Sequence, residues 1–226
     1  MFLRAVWLIL KKDLTVEARS REIVYTAFFF AVACVLVFAF AIVQEGRAPE
    51  NAGTAVLWVS VLFAGNLALA RTFERERQAE TLRALLLAPT ARTAVYTGKL
   101  LGIVFFLGVI ELMLVPLVAL LFPQTPLLRH PFWLALLLLG GTMGFAAVGT
   151  LFAAMLVRSR TRDVMLPILL YPITVPVMIA GVRGTSALLQ ETPEQALAIM
   201  WIGILAAFDA VFITLSLWTF EPLMTE

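Results

Sequence analysis

The sequence has almost no cysteine or histidine, the residues from which zinc, heme and redox sites are usually built. Its 226 residues include one cysteine, Cys34, and one histidine, His130. A single cysteine excludes a disulfide within the chain, and a single histidine excludes a metal site or a bis-histidine cofactor site built from this chain alone. No glycine stands at the spacing of a phosphate-binding Walker A loop. These absences predict a chain that is not itself an enzyme and that depends on a partner for any chemistry done in water.

Charged residues are scarce too. They make up 14% of the chain, whereas 62% of the residues are hydrophobic and the mean hydropathy is +0.96. The net charge of +2 is too small to suggest a nucleic-acid partner. A soluble domain of this length needs more polar surface to face water. The apolar excess therefore indicates that the lipid bilayer is the solvent.

Six stretches are long and apolar enough to cross a bilayer as helices, which takes roughly 20 residues each. These stretches lack the alternating apolar and polar residues of β-barrel strands. A segment that crosses lipid must pair all its backbone N–H and C=O groups within the protein, and a helix does so. The sequence thus predicts an all-α polytopic membrane protein with one transmembrane domain over residues 1–226. The predicted spans are 23–43, 54–70, 100–122, 132–157, 164–182 and 197–220.

The positive residues are distributed unevenly between the two sides of the predicted membrane. All but three of the 17 Lys and Arg residues fall in the amino terminus, the 71–99 connection and the connection after the fourth span. The opposite side carries Arg47, Arg129 and Arg183. Because short cytoplasmic segments are enriched in Lys and Arg, this pattern predicts that both termini lie in the cytoplasm.

The segment before the first span, residues 1–22, has the pattern of an amphipathic helix lying in the membrane interface. The alternative is a plain cytosolic extension of the first span. The polar run Arg19-Ser20-Arg21-Glu22 separates the segment from that span and favours the interfacial helix. Its apolar positions are Leu3, Trp7, Leu10 and Leu14, and its polar positions are Arg4, Lys11, Thr15 and Arg19.

The longest polar stretch is the 71–99 connection between the second and third spans. It has good helix formers from Phe73 to Ala88 and is stopped by Pro89. One interpretation is a solvated helix covered with charges. The other is a docking helix whose leucines and charges fit a groove on a partner protein.

This connection resembles the first cytoplasmic connection of ABC-2-type transporter permeases, in which a Glu/Arg-rich stretch runs into Thr-Leu-x-x-Leu and a proline. The resemblance implies an ABC-2-type permease architecture, with the connection coupling the membrane helices to an ATPase. The matching residues are Arg75, Glu76, Arg77, Thr81, Leu82, Leu85 and Pro89.

Two further stretches make the resemblance specific to one family of these permeases. The tail Phe208–Glu226 and the fifth-span sequence LPILLYPITVPVMI are similar to those of the cytochrome c maturation permease family CcmB, also called heme exporter protein B. Pro222 stands where that family has a tyrosine. With the short loops and the chain length, the resemblance covers essentially the whole chain.

The resemblance implies a permease subunit in the bacterial inner membrane whose complex transports heme as cargo. The expected partners are a CcmA-like cytoplasmic ATPase that binds ATP-Mg, CcmC-like and CcmD-like membrane subunits, and a CcmE-like heme chaperone. ATP hydrolysis would drive either heme export or release of the heme-loaded chaperone on the outer face. The alternatives are an ABC-2 permease for a lipid, glycan or drug, a secondary transporter or channel, and a non-transporting scaffold for heme-handling partners.

Two acids fall near the middle of predicted spans, Glu111 in the third and Asp209 in the sixth. A charged side chain costs about 3 kcal/mol at the bilayer centre on insertion scales, so both should face protein or water. They lie either on a substrate or coupling path or in hydrogen bonds that hold helices together, typically worth about 1 kcal/mol. The tail resemblance makes Asp209 the stronger candidate for the path.

The remaining candidate positions are small or helix-breaking residues and two isolated side chains. Gly140 and Gly144 form a GxxxG pair, which favours close helix packing over ligand binding. The prolines of the fifth span predict either a static kink or a hinge. His130 is expected to be a surface residue, with heme ligation as the alternative, and Cys34 to be a packing residue. The three prolines are Pro167, Pro172 and Pro176.

Overall fold

The computed structural model describes residues 2–43, 49, 51–78, 91–156, 159, 161–189 and 195–223. Within this part of the chain there are seven α-helices, and a short 3-10 turn, Leu127–Arg129, lies between the fourth and the fifth. The helices are α1 Phe2–Ser20, α2 Glu22–Ile42, α3 Ala52–Gln78, α4 Arg92–Leu121, α5 Pro131–Met155, α6 Arg162–Leu189 and α7 Gln195–Leu223.

Six of the described helices, α2 to α7, are long and apolar enough to cross a membrane. This confirms the predicted all-α polytopic membrane protein with six spans. Helices α3, α6 and α7 extend beyond the predicted spans at both ends and α4 at its start, because bilayer thickness limits the apolar run and not the helix. The largest differences border the 71–99 connection, since α3 continues to Gln78 and α4 already begins at Arg92.

The connection predicted to couple to an ATPase is therefore helical at both ends. Its centre, residues 79–90, is outside the described part of the chain. Of the seven residues named for it, Arg75 alone has a described side chain. Thr81, Leu82, Leu85 and Pro89, together with the side chains of Glu76 and Arg77, lie outside the described residues.

Helix α5 lies at the centre of the bundle. In the apolar stretches of the spans, 72% of the α5 residues are buried, against 11% for α7. Trp58 of α3 lies between Gly141 of α5 and Gly181 of α6, and its indole N–H donates to Thr185 Oγ1 at 3.0 Å. A Cβ at Gly181 would come within 2.5 Å of the indole ring. Glycine at these positions therefore lets three helices meet around one tryptophan.

Arg21 separates α1 from α2. Its backbone has the left-handed conformation, with φ 53° and ψ 16°, which an L-residue adopts at a break and not within a helix. Helix α1 is thus a separate element and not an extension of the first span. It packs against α4 through Val6 and Ile9, which are buried, whereas Leu3 and Trp7 of its predicted apolar face are 80% and 60% exposed.

Candidate functional site: polar links between helices at the α1 end and acids inside the bundle

Arg75, near the end of α3, joins three helices at the end of the bundle that carries α1. Its Nη1 lies 3.1 Å from Glu17 Oε2 of α1, and its Nη2 lies 3.1 Å from Glu22 Oε2 of α2 and 2.9 Å from Ser20 Oγ. Glu17 is 4% exposed, and its second oxygen accepts the backbone N–H of Val24 at 2.9 Å. One guanidinium therefore fixes the α1–α2 junction to the end of α3.

A second ion pair joins α1 to α4. Lys99 Nζ lies 2.6 Å from Asp13 Oδ2, and the lysine side chain is 2% exposed. The other oxygen of Asp13 lies 3.1 Å from Lys12 Nζ. Beside the pair, a Cβ at Gly98 would come within 2.9 Å of the Ile9 side chain, so α1 and α4 approach closely. Removing one partner of such a buried pair is costly because it leaves an uncompensated charge.

Two further arginines bind backbone carbonyls of other helices. Arg162, at the start of α6, donates to the carbonyl of Ala70 in α3. Arg92, at the start of α4, donates to the carbonyl of Glu221 near the end of α7 at 3.3 Å. Arg75 and Arg92 stand just before and just after the 79–90 segment. Both ends of the predicted coupling connection are thus bonded to other helices.

The sequence pattern identified Arg75 but not its partners. The missed signal is in α1, where Asp13 and Glu17 follow Val6 and Ile9 at helical spacing and fall on the same face. Acids on the apolar, buried stripe of a short helix indicate buried partners. Their identities could not be predicted, because Arg75 and Lys99 lie on other helices, 58 and 86 residues away from their partners.

The two intramembrane acids both face the central helix α5. Glu111 of α4 is buried, and its Oε1 accepts a hydrogen bond from the Thr142 hydroxyl of α5. On another side of α5, a Cβ at Gly144 would come within 2.6 Å of Asp209 Oδ1 of α7. This oxygen is buried and has no hydrogen-bond partner among the residues that the structure describes.

The GxxxG glycines face the last helix. Gly140 lies against Leu205, and a Cβ there would be 3.3 Å from the leucine Cβ. Gly144 lies against Phe208 as well as Asp209. Helices α5 and α7 therefore approach closely along this pair of glycines.

The prolines of the fifth span lie within one helix, α6, which is continuous through Pro167, Pro172 and Pro176. His130 precedes α5 and is half-buried, and Cys34 is half-buried in α2. Among the described residues no three His, Cys, Asp or Glu side chains are grouped so that they could hold a metal ion.

Residues 4–222 match the family described as CcmB protein. The chain belongs to the CcmB family. The match begins in α1 and ends in α7, so all the helix-joining contacts described above lie inside the CcmB region.

Curated relatives agree with the CcmB assignment. The chain is 30% identical to heme exporter protein B of Rhodobacter capsulatus over 207 residues, which cover 90% of this chain and 92% of that protein. It is 31% identical to heme exporter protein B of Escherichia coli K12 over 211 residues, 93% of each chain. The protein of the same name from Pseudomonas aeruginosa is 28% identical over 189 residues, 84% of this chain and 83% of the relative. The resemblance to CcmB is thereby confirmed.

Proposed function

We propose that this CcmB family member is the membrane permease subunit of an ABC-type complex in cytochrome c maturation. In this complex a separate ATPase subunit hydrolyses ATP, and the permease couples that hydrolysis to heme export or to release of a heme-loaded chaperone. Support comes from the family match over nearly the whole chain and from relatives named heme exporter protein B. The observation that carries the coupling role is that polar contacts to other helices flank both ends of the 79–90 segment.

These contacts suggest how movement of the connection would reach the membrane helices. A partner that displaces residues 79–90 pulls on the end of α3 and the start of α4. Arg75 transmits the α3 movement to α1 and α2, while Lys99 transmits the α4 movement to α1. Hydrogen bonds to charged groups contribute about 1.5–3 kcal/mol each at the buried Glu17 and Lys99, and less at the exposed Glu22, so the buried contacts make these helices move together.

The proposed partners and cargo follow from the family. A CcmA-like subunit binds ATP-Mg in the cytoplasm, CcmC-like and CcmD-like subunits handle heme in the membrane, and a CcmE-like chaperone receives it. The proposed location is the bacterial inner membrane, with heme as the cargo of the complex. This chain contributes helices, a docking segment and links between them, and the ATPase activity belongs to its partner.

The docking role can be tested in the connection itself. Reversing both charges with Glu76→Arg and Arg77→Glu, or replacing Leu82 with Asp, should weaken association with the ATPase while the chain still inserts. Arg71→Gln is a matched control, because Arg71 pairs with Glu74 at 3.5 Å on an exposed surface. Copurification and ATPase stimulation are the measurements. Undiminished values in the variants, at normal membrane abundance, would refute docking through this segment.

The same proposal requires the α1 end to face the cytoplasm. The test uses a chain whose native Cys34 is replaced by Ala and which carries one new cysteine at a time. A cysteine placed within 72–95 should be protected from an impermeant thiol reagent added outside the cell, and one at Thr192 should react. The opposite labelling pattern would invert the orientation.

For the intramembrane acids we propose a path role for Asp209 of α7, with Glu111 of α4 facing the same central helix α5. The support is the buried Asp209 Oδ1, which has no hydrogen-bond partner in the described part of the chain. Asp209→Asn preserves size and hydrogen bonding but cannot carry charge. Cytochrome c assembly should fail in this variant while the protein stays abundant and bound to its ATPase. Normal assembly would leave Asp209 as a packing residue.

A further inference from the structure

An apolar groove of about 340 Å³ lies between α1, α2 and α4. This volume is at the lower end of the ~300–1,000 Å³ range of small-molecule sites. Two of its wall residues, Tyr25 and Phe105, are 49% and 52% exposed, so the groove opens toward the surroundings of the bundle. The apolar part of its wall is formed mainly by Leu14, Val24, Tyr25, Phe105, Phe106 and Val109.

Two charged residues border the groove, and they differ in what they can still bind. Glu17 already has partners on both oxygens, Arg75 on one and the Val24 N–H on the other. Arg21 is exposed, and its Nη1 donates to the Tyr25 hydroxyl at 3.2 Å, which holds the guanidinium beside the groove. The opening therefore presents a positive charge whose remaining donors can bind an anion.

The position of the groove indicates what surrounds it. It lies beneath α1, whose Leu3 and Trp7 are exposed, and beside spans α2 and α4. Such a short helix beside membrane spans is expected in the headgroup region of one leaflet. The molecules that reach an apolar groove there are amphiphiles with a hydrocarbon tail. Basic pockets between membrane helices are known to bind anionic lipid headgroups.

We propose that this groove binds one acyl chain of an anionic phospholipid, with the lipid phosphate on Arg21. A zwitterionic headgroup fits less well, because its ammonium would lie near Arg21, and the adjacent Glu22 is already paired with Arg75. The bound lipid contacts both the α1–α2 junction and α4 and stabilises their packing, close to the Arg75–Glu17 ion pair. This inference does not depend on the proposed transport function.

The headgroup contact is tested by native mass spectrometry of the purified full chain titrated with phosphatidylglycerol and, separately, with phosphatidylcholine of the same acyl chains. Arg21→Asn removes the charge, and asparagine tolerates the left-handed backbone at this position. We expect phosphatidylglycerol affinity to fall about fivefold, the equivalent of about 1 kcal/mol per basic residue near a membrane surface. Arg19→Asn, an equal loss of charge outside the groove, should leave the affinity unchanged. Equal losses in the two variants would overturn the proposal in favour of general surface attraction.

The acyl-chain contact is tested separately by filling the groove. Val109→Trp should abolish retention of phosphatidylglycerol although Arg21 is intact, and phosphatidylglycerol should no longer raise the unfolding temperature of the variant. Leu112→Trp is the control, because Leu112 is 77% exposed on the same helix and does not line the groove. Unchanged retention in Val109→Trp would overturn the proposal. Displacement of phosphatidylglycerol by substoichiometric hemin would also overturn it, because the groove would then be a porphyrin site.

Discussion

The acidic side chains at the α1 end and those in the interior of the bundle are held in different ways. At the α1 end, Asp13, Glu17 and Glu22 each lie within 3.1 Å of a lysine or arginine on another helix. In the interior, Glu111 accepts a hydrogen bond from the Thr142 hydroxyl. Asp209 Oδ1 is buried without a hydrogen-bond partner among the described residues. In the described part of the chain, the first group is held by opposite charges and the second is not.

The difference indicates different roles. Near the membrane surface, ion pairs between helices provide directional links that can transmit a displacement. In the hydrocarbon region an ionised carboxylate without a cation is costly, so an acid there needs a neutral partner or a function. We infer that the α1 end connects the helices mechanically, whereas the interior acids serve packing or the transport path.

The largest stability effect is expected from breaking the pair between α1 and α4. Lys99→Met removes the buried cation of Asp13, which keeps the more exposed Lys12, and should cost about 3 kcal/mol of unfolding free energy, the lower end for a broken buried pair. Asp13→Leu combined with Lys99→Met should recover most of this loss, because an apolar pair replaces the buried ions. Thermal unfolding in detergent, followed by size-exclusion elution, measures both variants. A double variant as unstable as the single one would show that the charge pairing is not the source of the loss.

A smaller effect is expected where α5 meets α7. Gly144→Ala places a methyl group against Asp209 and Phe208 and should cost about 1–3 kcal/mol, as overpacking of a well-packed contact usually does. Gly203→Ala on α7 is the matched control, because its Cβ would meet nothing within 4 Å. The difference between their unfolding temperatures is the readout. Equal stability of the two variants would mean that the α5–α7 contact is looser than described.

The smallest effect is expected from the hydrogen bond inside the bundle. Thr142→Val removes the donor to Glu111 and should cost about 1 kcal/mol, the usual scale for such bonds between membrane helices. Thr150→Val serves as control, because the buried Thr150 hydroxyl has no hydrogen-bond partner in the described part of the chain. A loss as large as that from Lys99→Met would contradict the comparison, since Glu111 would then be held as strongly as the acids at the α1 end.

The existence of the spans was predictable from the sequence because it depends on local apolar runs. The helix ends were not, because α3 continues past its apolar stretch to Gln78. The burial pattern of α1 was also not predicted. Its exposed apolar face was identified, but Val6 and Ile9 were not recognised as the side packed on α4, because that depends on a helix more than 80 residues later.

The candidate site was predictable only in part, for the same reason. Arg75 stands in a motif that is local in sequence, so it could be named. Its pairing with Glu17, and the position of Trp58 between two glycines, arise when distant helices meet. Sequence spacing alone does not specify such contacts. Likewise, the hydroxyl beside Glu111 could be assigned only once α4 and α5 were placed side by side.

The most direct test of the central claim compares Arg75→Gln with Arg71→Gln in the assembled complex. Arg75 links α1, α2 and α3, whereas Arg71 makes only the exposed pair with Glu74 among the described ion pairs. At equal membrane abundance and equal ATPase copurification, Arg75→Gln should sharply lower permease-stimulated ATPase activity and cytochrome c assembly, and Arg71→Gln should leave both unchanged. Wild-type ATPase stimulation and assembly in the Arg75→Gln complex would contradict the account.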